Sequence, residues 1–319
     1  MTINTQVELT FDQTVPRALV HRRAVGEVFI TDSAQVAEDE FLLAVQIPRA
    51  HSLWADSPVA YHDPFATGEA ARQGSLVVIH RYLGVPVDLP GSMQRYELTV
   101  SSLDAYRDNE RSPLEGVLRY RLSDKQMRDG QLSTMRIGGE LVVDGVQAMR
   151  VGGDVVFMSR ADYLALRAFH RSRKPIEPGR VPDQPKPLDP TAVGRMNQRN
   201  VVIGAPIKSD GQLRYPLVVD LRHPSFFDHG YDHVPGPFCL EGLRQAAIVT
   251  SYESGAIESP VVAITGCKVS FADFGEFEEI LTCSAEVMDS DGGRVTVRVG
   301  LHQFGKQVVS GEVELRRYP

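Results

Sequence analysis

A short polar pattern occurs twice in this chain of 319 residues. His51, Asp56, Glu69, Arg72 and Gln73 recur, at a constant offset of 172, as His223, Asp228, Glu241, Arg244 and Gln245. Five polar identities at one fixed offset read as an internal duplication. Two copies are too few for a solenoid, so a pseudo-symmetric pair of halves is expected. Between them lie Pro175, Pro178, Pro182, Pro185, Pro187 and Pro190. Proline fixes φ and removes backbone donors, so this stretch reads as a semi-extended linker. The expected organisation is a first domain over 1–170, a linker over 171–194 and a second domain over 195–319.

Each Glu-x-x-Arg-Gln falls in a helical stretch, predicted over 65–80 and 238–252. Phe238, Leu240, Leu243, Ala246, Ala247, Ile248 and Val249 make the second helix apolar on most sides, the pattern of a buried helix. Strands are predicted over 96–100, 116–122, 139–143 and 151–158 in the first half. The second half repeats them over 261–271, 280–288, 294–303 and 306–316, with Asp291-Gly292-Gly293 as a tight turn. One buried helix wrapped by a long antiparallel sheet, twice over, gives an α+β fold: a tandem, or double, hotdog.

The chain carries 34 Lys and Arg against 41 Asp and Glu, a formal charge of −7, so a general nucleic-acid surface is disfavoured. The start has no basic segment followed by an apolar core, and no apolar run approaches a membrane span. Cys239, Cys267 and Cys283 match no zinc or redox spacing, which points to reduced thiols and a cytoplasmic protein without metal or cofactor.

Glu241, Arg244 and Gln245 share one helix face, as do Glu69, Arg72 and Gln73. The plain alternative is a buried ion pair tying helix to sheet or half to half. Burying charge is costly unless it is paired or functional, and the triplet recurs on two core-like helices, so both are candidate sites, the second the stronger. Ahead of the second helix, His223, Asp228, His229, Asp232, His233 and Gly236 crowd fourteen residues. Histidines there suit proton transfer, and amides opening a helix suit an oxyanion or phosphate; helix capping is the bland reading. The basic stretches His21-Arg22-Arg23 and Arg167, Arg171, Arg173, Lys174 read as solvated faces, with a phosphorylated or acidic carrier partner as the alternative for either, and Gly152-Gly153 as a strand turn.

VHRRAVGEVFITD (20–32), IPRAHS (47–52), HDPFATGEAARQG (62–74) and HPSFFDHGYDHVPGPFCLEGLRQAA (223–247) resemble the A-factor biosynthesis proteins, the γ-butyrolactone or butenolide synthases that make signalling molecules in streptomycetes. The resemblance covers both halves and implies a double hotdog. It further implies transfer of a β-ketoacyl group from acyl carrier protein to dihydroxyacetone phosphate, then cyclisation to a phosphorylated butenolide. On it, Glu241 is the expected general base and Arg244 the phosphate or oxyanion group. Gln245 and the Gly236 amide would orient the thioester carbonyl, while Glu69 and Arg72, with Gln73 at the substrate, would complete a second, vestigial site or serve the acyl tunnel. His223, Asp228, His229, Asp232 and His233 are expected at the substrate. One departure is Phe65-Ala66-Thr67-Gly68 before Glu69, where larger apolar residues are expected; smaller side chains there suggest either an opened pocket or a first half with altered duty.

A dehydratase or thioesterase on the same fold is the runner-up, with His229 and Glu241 as its acid–base pair. A non-catalytic acyl-binding module is the other alternative. A homo-oligomer is compatible with either, and no nucleic-acid or membrane partner is expected.

Overall fold

The computed structural model describes residues 7–128, 130–209 and 211–319. The first half runs β1 (Ile30–Ala37), β2 (Glu40–Ile47), α1 (Pro64–Val77), β3 (Gly91–Val100), β4 (Leu114–Arg128), β5 (Gln131–Val143) and β6 (Val146–Phe157). An added helix, α2 (Arg160–Ser172), follows. The second half repeats the order with β7 (Ile207–Ser209), β8 (Gln212–Pro216), α3 (Gly236–Glu253), β9 (Val262–Phe271), β10 (Thr282–Asp291), β11 (Arg294–Gln303) and β12 (Lys306–Arg317).

All twelve strands form one sheet in the order β1-β2-β4-β5-β6-β3-β9-β12-β11-β10-β8-β7. The order reads the same outward from the β3–β9 seam, which is the signature of a pseudo-twofold axis. At that seam the strands run antiparallel from Arg95 opposite Ser270 to Thr99 opposite Gly266, and Glu97 faces Lys268. Opposite charges facing across a strand pair favour this register.

Both long helices lie against the sheet with most of their residues buried. Strand β4 alternates buried and exposed from Leu114 to Leu122, the period-2 pattern of a sheet with one face on the core. Helix α1 starts where Asp63 accepts a hydrogen bond from the Phe65 amide (2.9 Å), with Pro64 at its first position. It ends in a wider π turn, Val78–Tyr82. Helix α3 has Pro235 at the corresponding cap and no side-chain cap.

The predicted helices and eight long strands are present, several of them longer than expected. Strands β1, β2, β7 and β8 and helix α2 were not anticipated. Gly152 and Gly153 lie inside β6, paired with Glu97 and Tyr96, rather than in a turn. Gly68 does not open a pocket: a Cβ there would stand 2.3 Å from the Tyr96 hydroxyl and 2.8 Å from Leu98. The small residue is what lets Tyr96 pack against the helix.

Candidate active site

Glu241 lies on α3, buried to 1% exposure. Its Oε1 accepts from Arg195 Nη2 (2.9 Å), Arg244 Nη2 (3.0 Å) and Gln245 Nε2 (2.6 Å). Oε2 stands 2.8 Å from Arg244 Nη2 but accepts no well-directed hydrogen bond. Burial pushes the Glu241 carboxyl up to about 7, the Asp63 carboxylate adds to the rise, and Arg195 and Gln245 pull against it.

The first half repeats the arrangement around Glu69. Its carboxylate accepts from Arg22 Nη2 (2.6 Å), Arg72 Nε (2.7 Å), Arg72 Nη2 (2.8 Å) and Gln73 Nε2 (2.9 Å). Burial opposes ionisation here too, but Arg72 and Arg22 outweigh it and hold the group well below the usual carboxylate range. Both glutamines also lock a neighbouring segment. Gln73 bridges the Phe29 amide and Glu27 carbonyl, and Gln245 bridges the Val202 amide and Asn200 carbonyl.

The loops bearing His51 and His223 cross reciprocally to the opposite half. Arg22 donates to the Ser225 carbonyl and Arg195 to the Leu53 carbonyl, both at 2.8 Å. Asp56 accepts from the Met196 and Asn197 amides, and Asp228 from the Arg23 amide. His223 Nδ1 accepts from the Ser225 and Phe226 amides, and Nε2 bonds Asn200 Oδ1 at 3.1 Å. His51 does the same with Leu53 and Trp54, its Nε2 3.4 Å from Glu27. Both rings, His223 among the residues expected at substrate, thus have their nitrogens engaged within the fold.

The twins differ in what surrounds the motif arginine. Arg244 donates to Asp63 Oδ2 at 2.5 Å, its guanidinium lies over the Phe65 ring, and its side chain is 8% exposed. Tyr318 packs on Tyr61 (ring centroids 5.0 Å) beside Asp63 and Arg195. Around Arg72, where Pro235 replaces the carboxylate, the side chain is 23% exposed. Its neighbours are ionisable: His21 lies within electrostatic reach of Arg72, His80 and His229, and Tyr231 within reach of Arg72, Arg22 and Glu69. His229 Nδ1 is 2.5 Å from Asp228 Oδ1, and its ring packs on Tyr231 with centroids 4.2 Å apart. Asp228 in turn stands 3.5 Å from Arg22. His229 therefore belongs to the Glu69 end through Asp228 and Arg22, and is not paired with Glu241 as the dehydratase alternative required.

The remaining expected residues lie elsewhere. Asp232 accepts from the Tyr163 hydroxyl of α2 at 2.8 Å, and His233 Nδ1 is 2.6 Å from Asp232. Gly236 opens α3 near the Phe271 ring. Neither basic stretch is simply solvated. Arg22 is a buried ligand of Glu69, while Arg167, Arg171 and Lys174 converge on the fully buried Glu276 at 2.8, 2.6 and 2.9 Å. Arg22, Arg195 and Asp63 were missed by the motif analysis. For the two arginines a signal was present: 20–30 and 193–203 share Val, Arg, Val and Ile at an offset of 173, one residue out of step with the main repeat. Among the described residues no group of three or more His, Cys, Asp or Glu could hold a metal ion, and no helix is long and apolar enough to cross a membrane.

The model of the A-factor biosynthesis hotdog domain matches residues 4–156 and again 176–318. This chain belongs to that family. A Streptomyces virginiae protein named 2-oxo-3-(phosphooxy)propyl 3-oxoalkanoate synthase is 33% identical to this family member over 93% of the chain and 96% of the relative. A Streptomyces griseus protein of the same name is 30% identical over 92% of each. Among solved structures, the putative oleoyl thioesterase of Lactobacillus plantarum superposes with TM-score 0.55 at 13% identity, covering 89% of this chain and 98% of that one. The pyran synthase domain from module nine of the sorangicin pathway superposes at 0.50 with 15% identity over 91% and 98%. These two likenesses concern the double hotdog fold alone.

Proposed function

We propose that this chain joins a β-ketoacyl group to dihydroxyacetone phosphate, making the 2-oxo-3-(phosphooxy)propyl 3-oxoalkanoate for which its relatives are named. The donor is a thioester on acyl carrier protein. The hydroxyl of dihydroxyacetone phosphate attacks the thioester carbonyl, the new C–O ester bond replaces C–S, and the carrier thiol leaves with the proton. The α-carbon between the ester and β-keto carbonyls then loses a proton and adds to the ketone of the dihydroxyacetone unit, and loss of water gives the phosphorylated butenolide.

The reaction belongs at the Glu69–Arg72 end. The observation that carries this is the asymmetry of the motif arginines: Arg244 already holds Asp63, while Arg72 is 23% exposed and lies within electrostatic reach of His21. There His229 is the general base. Asp228 accepts a hydrogen bond from its Nδ1–H, which leaves the lone pair on Nε2, the arrangement that orients a catalytic imidazole. Glu69, held ionised by two arginines, fixes Arg72 rather than taking a proton. Arg72, whose Nε and Nη2 hold Glu69, offers Nη1 to the anionic group of the substrate.

A second reading keeps Glu241 as the base, with Arg244, Gln245 and Gly236 around the thioester. The observation favouring it is a carboxyl brought to about 7, where proton exchange is easiest at neutral pH. Mass spectrometry of a mixture of protein, β-ketoacyl thioester and dihydroxyacetone phosphate tests both. A phosphorylated ester or butenolide is expected from the wild type, lost in His229→Ala and Arg72→Gln and retained in Glu241→Gln. Hydrolysis of the thioester regardless of the phosphate would remove the synthase reading.

A further inference from the structure

His21 and His80 form a contact that has no counterpart in the second half. Their Nε2 atoms are 2.9 Å apart and the rings stack at 4.9 Å. His80 Nδ1 faces the Val85 carbonyl at 2.8 Å, so it carries a proton, its Nε2 accepts, and His21 Nε2 donates. His21 Nδ1 is left as the nitrogen that can gain a proton. The pseudo-equivalents are Gly194 and Tyr252, neither of which can supply a charge of this kind.

The backbone makes the histidine costly. His21 has φ 53, in the left-handed region, and Gly194 occupies the same conformation in the other half with φ 69. Glycine adopts this geometry without strain and histidine does not. Residues held in such conformations cluster where function needs the side chain. His80 stands in the π turn that ends α1, a local widening of the helix that is also common at functional sites.

We infer that His21 and His80, with Arg72, form a phosphate subsite that recognises the phosphate monoester of the acceptor substrate at the Glu69 end. This rests on the acyl-transfer reading above and names the group that selects its phosphorylated acceptor. The charged and titratable groups facing His21 are His80 from the π turn, Arg72 from α1 and His229 from the crossing loop. Burial and these three groups together hold the His21 imidazole down at about 4. A phosphate dianion is the missing counter-charge, so its binding draws a proton onto His21. The buried twin has neither the histidines nor a free arginine face, and it takes no phosphate.

The test is His21→Gly, a substitution that relieves the backbone while deleting the ring. Calorimetric titration of inorganic phosphate and of dihydroxyacetone phosphate is compared in two buffers of different ionisation enthalpy. The wild type takes up protons on binding; His21→Gly loses that uptake and about ten-fold in affinity, with a melting temperature unchanged or raised. In turnover its KM for dihydroxyacetone phosphate rises by a similar factor, while KM for the thioester does not move. A lower melting temperature with unaltered phosphate affinity and KM would make the pair structural and overturn the subsite. If the wild type forms no product from dihydroxyacetone phosphate, the acyl-transfer reading fails; unchanged His21→Gly kinetics beside an active wild type defeat the subsite alone.

Discussion

Arg244 donates to Asp63 across the junction between the halves, and the position equivalent to Asp63 beside Arg72 is Pro235. One carboxylate thus separates two otherwise matching clusters. It engages Arg244 a second time, whereas the hydrogen bonds of Arg72 go to Glu69. The same side chain caps α1, so helix start and junction are fixed together.

Asp63→Ala is expected to be severely destabilising. It removes a buried partner of Arg244 and a helix cap, a combined loss of roughly 3–5 kcal/mol. Arg72→Gln leaves Glu69 paired with Arg22 and is expected to cost only about 1–2 kcal/mol while eliminating product formation. Chemical denaturation of the two variants beside an activity assay checks the contrast. Equal stability losses, or an active Arg72→Gln, would remove the distinction between the twins.

Acid stability follows from Glu276. It is buried, which opposes ionisation, but Arg167 and Lys174 hold its carboxyl down at about 2 from an ordinary 4.5. A depressed folded value contributes stability that is complete above the unfolded value and is lost as pH falls from about 4.5 toward 2. Glu241 has the opposite sign: raised to about 7, it binds a proton in the folded state and weakens the fold as pH rises from 4.5 to 7. Melting curves against pH should show Glu276→Gln less stable at neutrality yet losing less on acidification. Glu241→Gln should flatten the slope between pH 4.5 and 7.

Much of this was readable from residues. The duplicated motif gave the two halves, the apolar helices and the alternating strands gave the sheet, and Glu, Arg and Gln on one face gave two polar clusters. Arg22 and Arg195 escaped because a one-residue difference in spacing takes them out of the constant offset. Asp63 escaped because its role depends on contact with a residue 181 positions away. Which motif arginine is the more exposed was equally hidden, since the cover over Arg244 is made by Asp63, Tyr61 and Tyr318 meeting across the fold. Strands β1, β2, β7 and β8 carry weaker patterns and gain their place by pairing at the sheet's edges.

Gly68 offers a packing test. Gly68→Leu should lower stability by about 1–3 kcal/mol because the Tyr96 hydroxyl and Leu98 already fill the space a side chain would need. Thermal unfolding checks it; unchanged stability would mean that the Tyr96 ring moves aside and that a pocket exists there after all.

The central claim is that the Glu69–Arg72 end, not its buried twin, takes the phosphorylated acceptor. The most direct measurement is diffraction from crystals of the full chain soaked with dihydroxyacetone phosphate. The account predicts a phosphate within hydrogen-bonding distance of Arg72 and His21, with the substrate hydroxyl turned toward His229 Nε2. A phosphate bound at Arg244, with Asp63 displaced, would contradict it and return the reaction to Glu241.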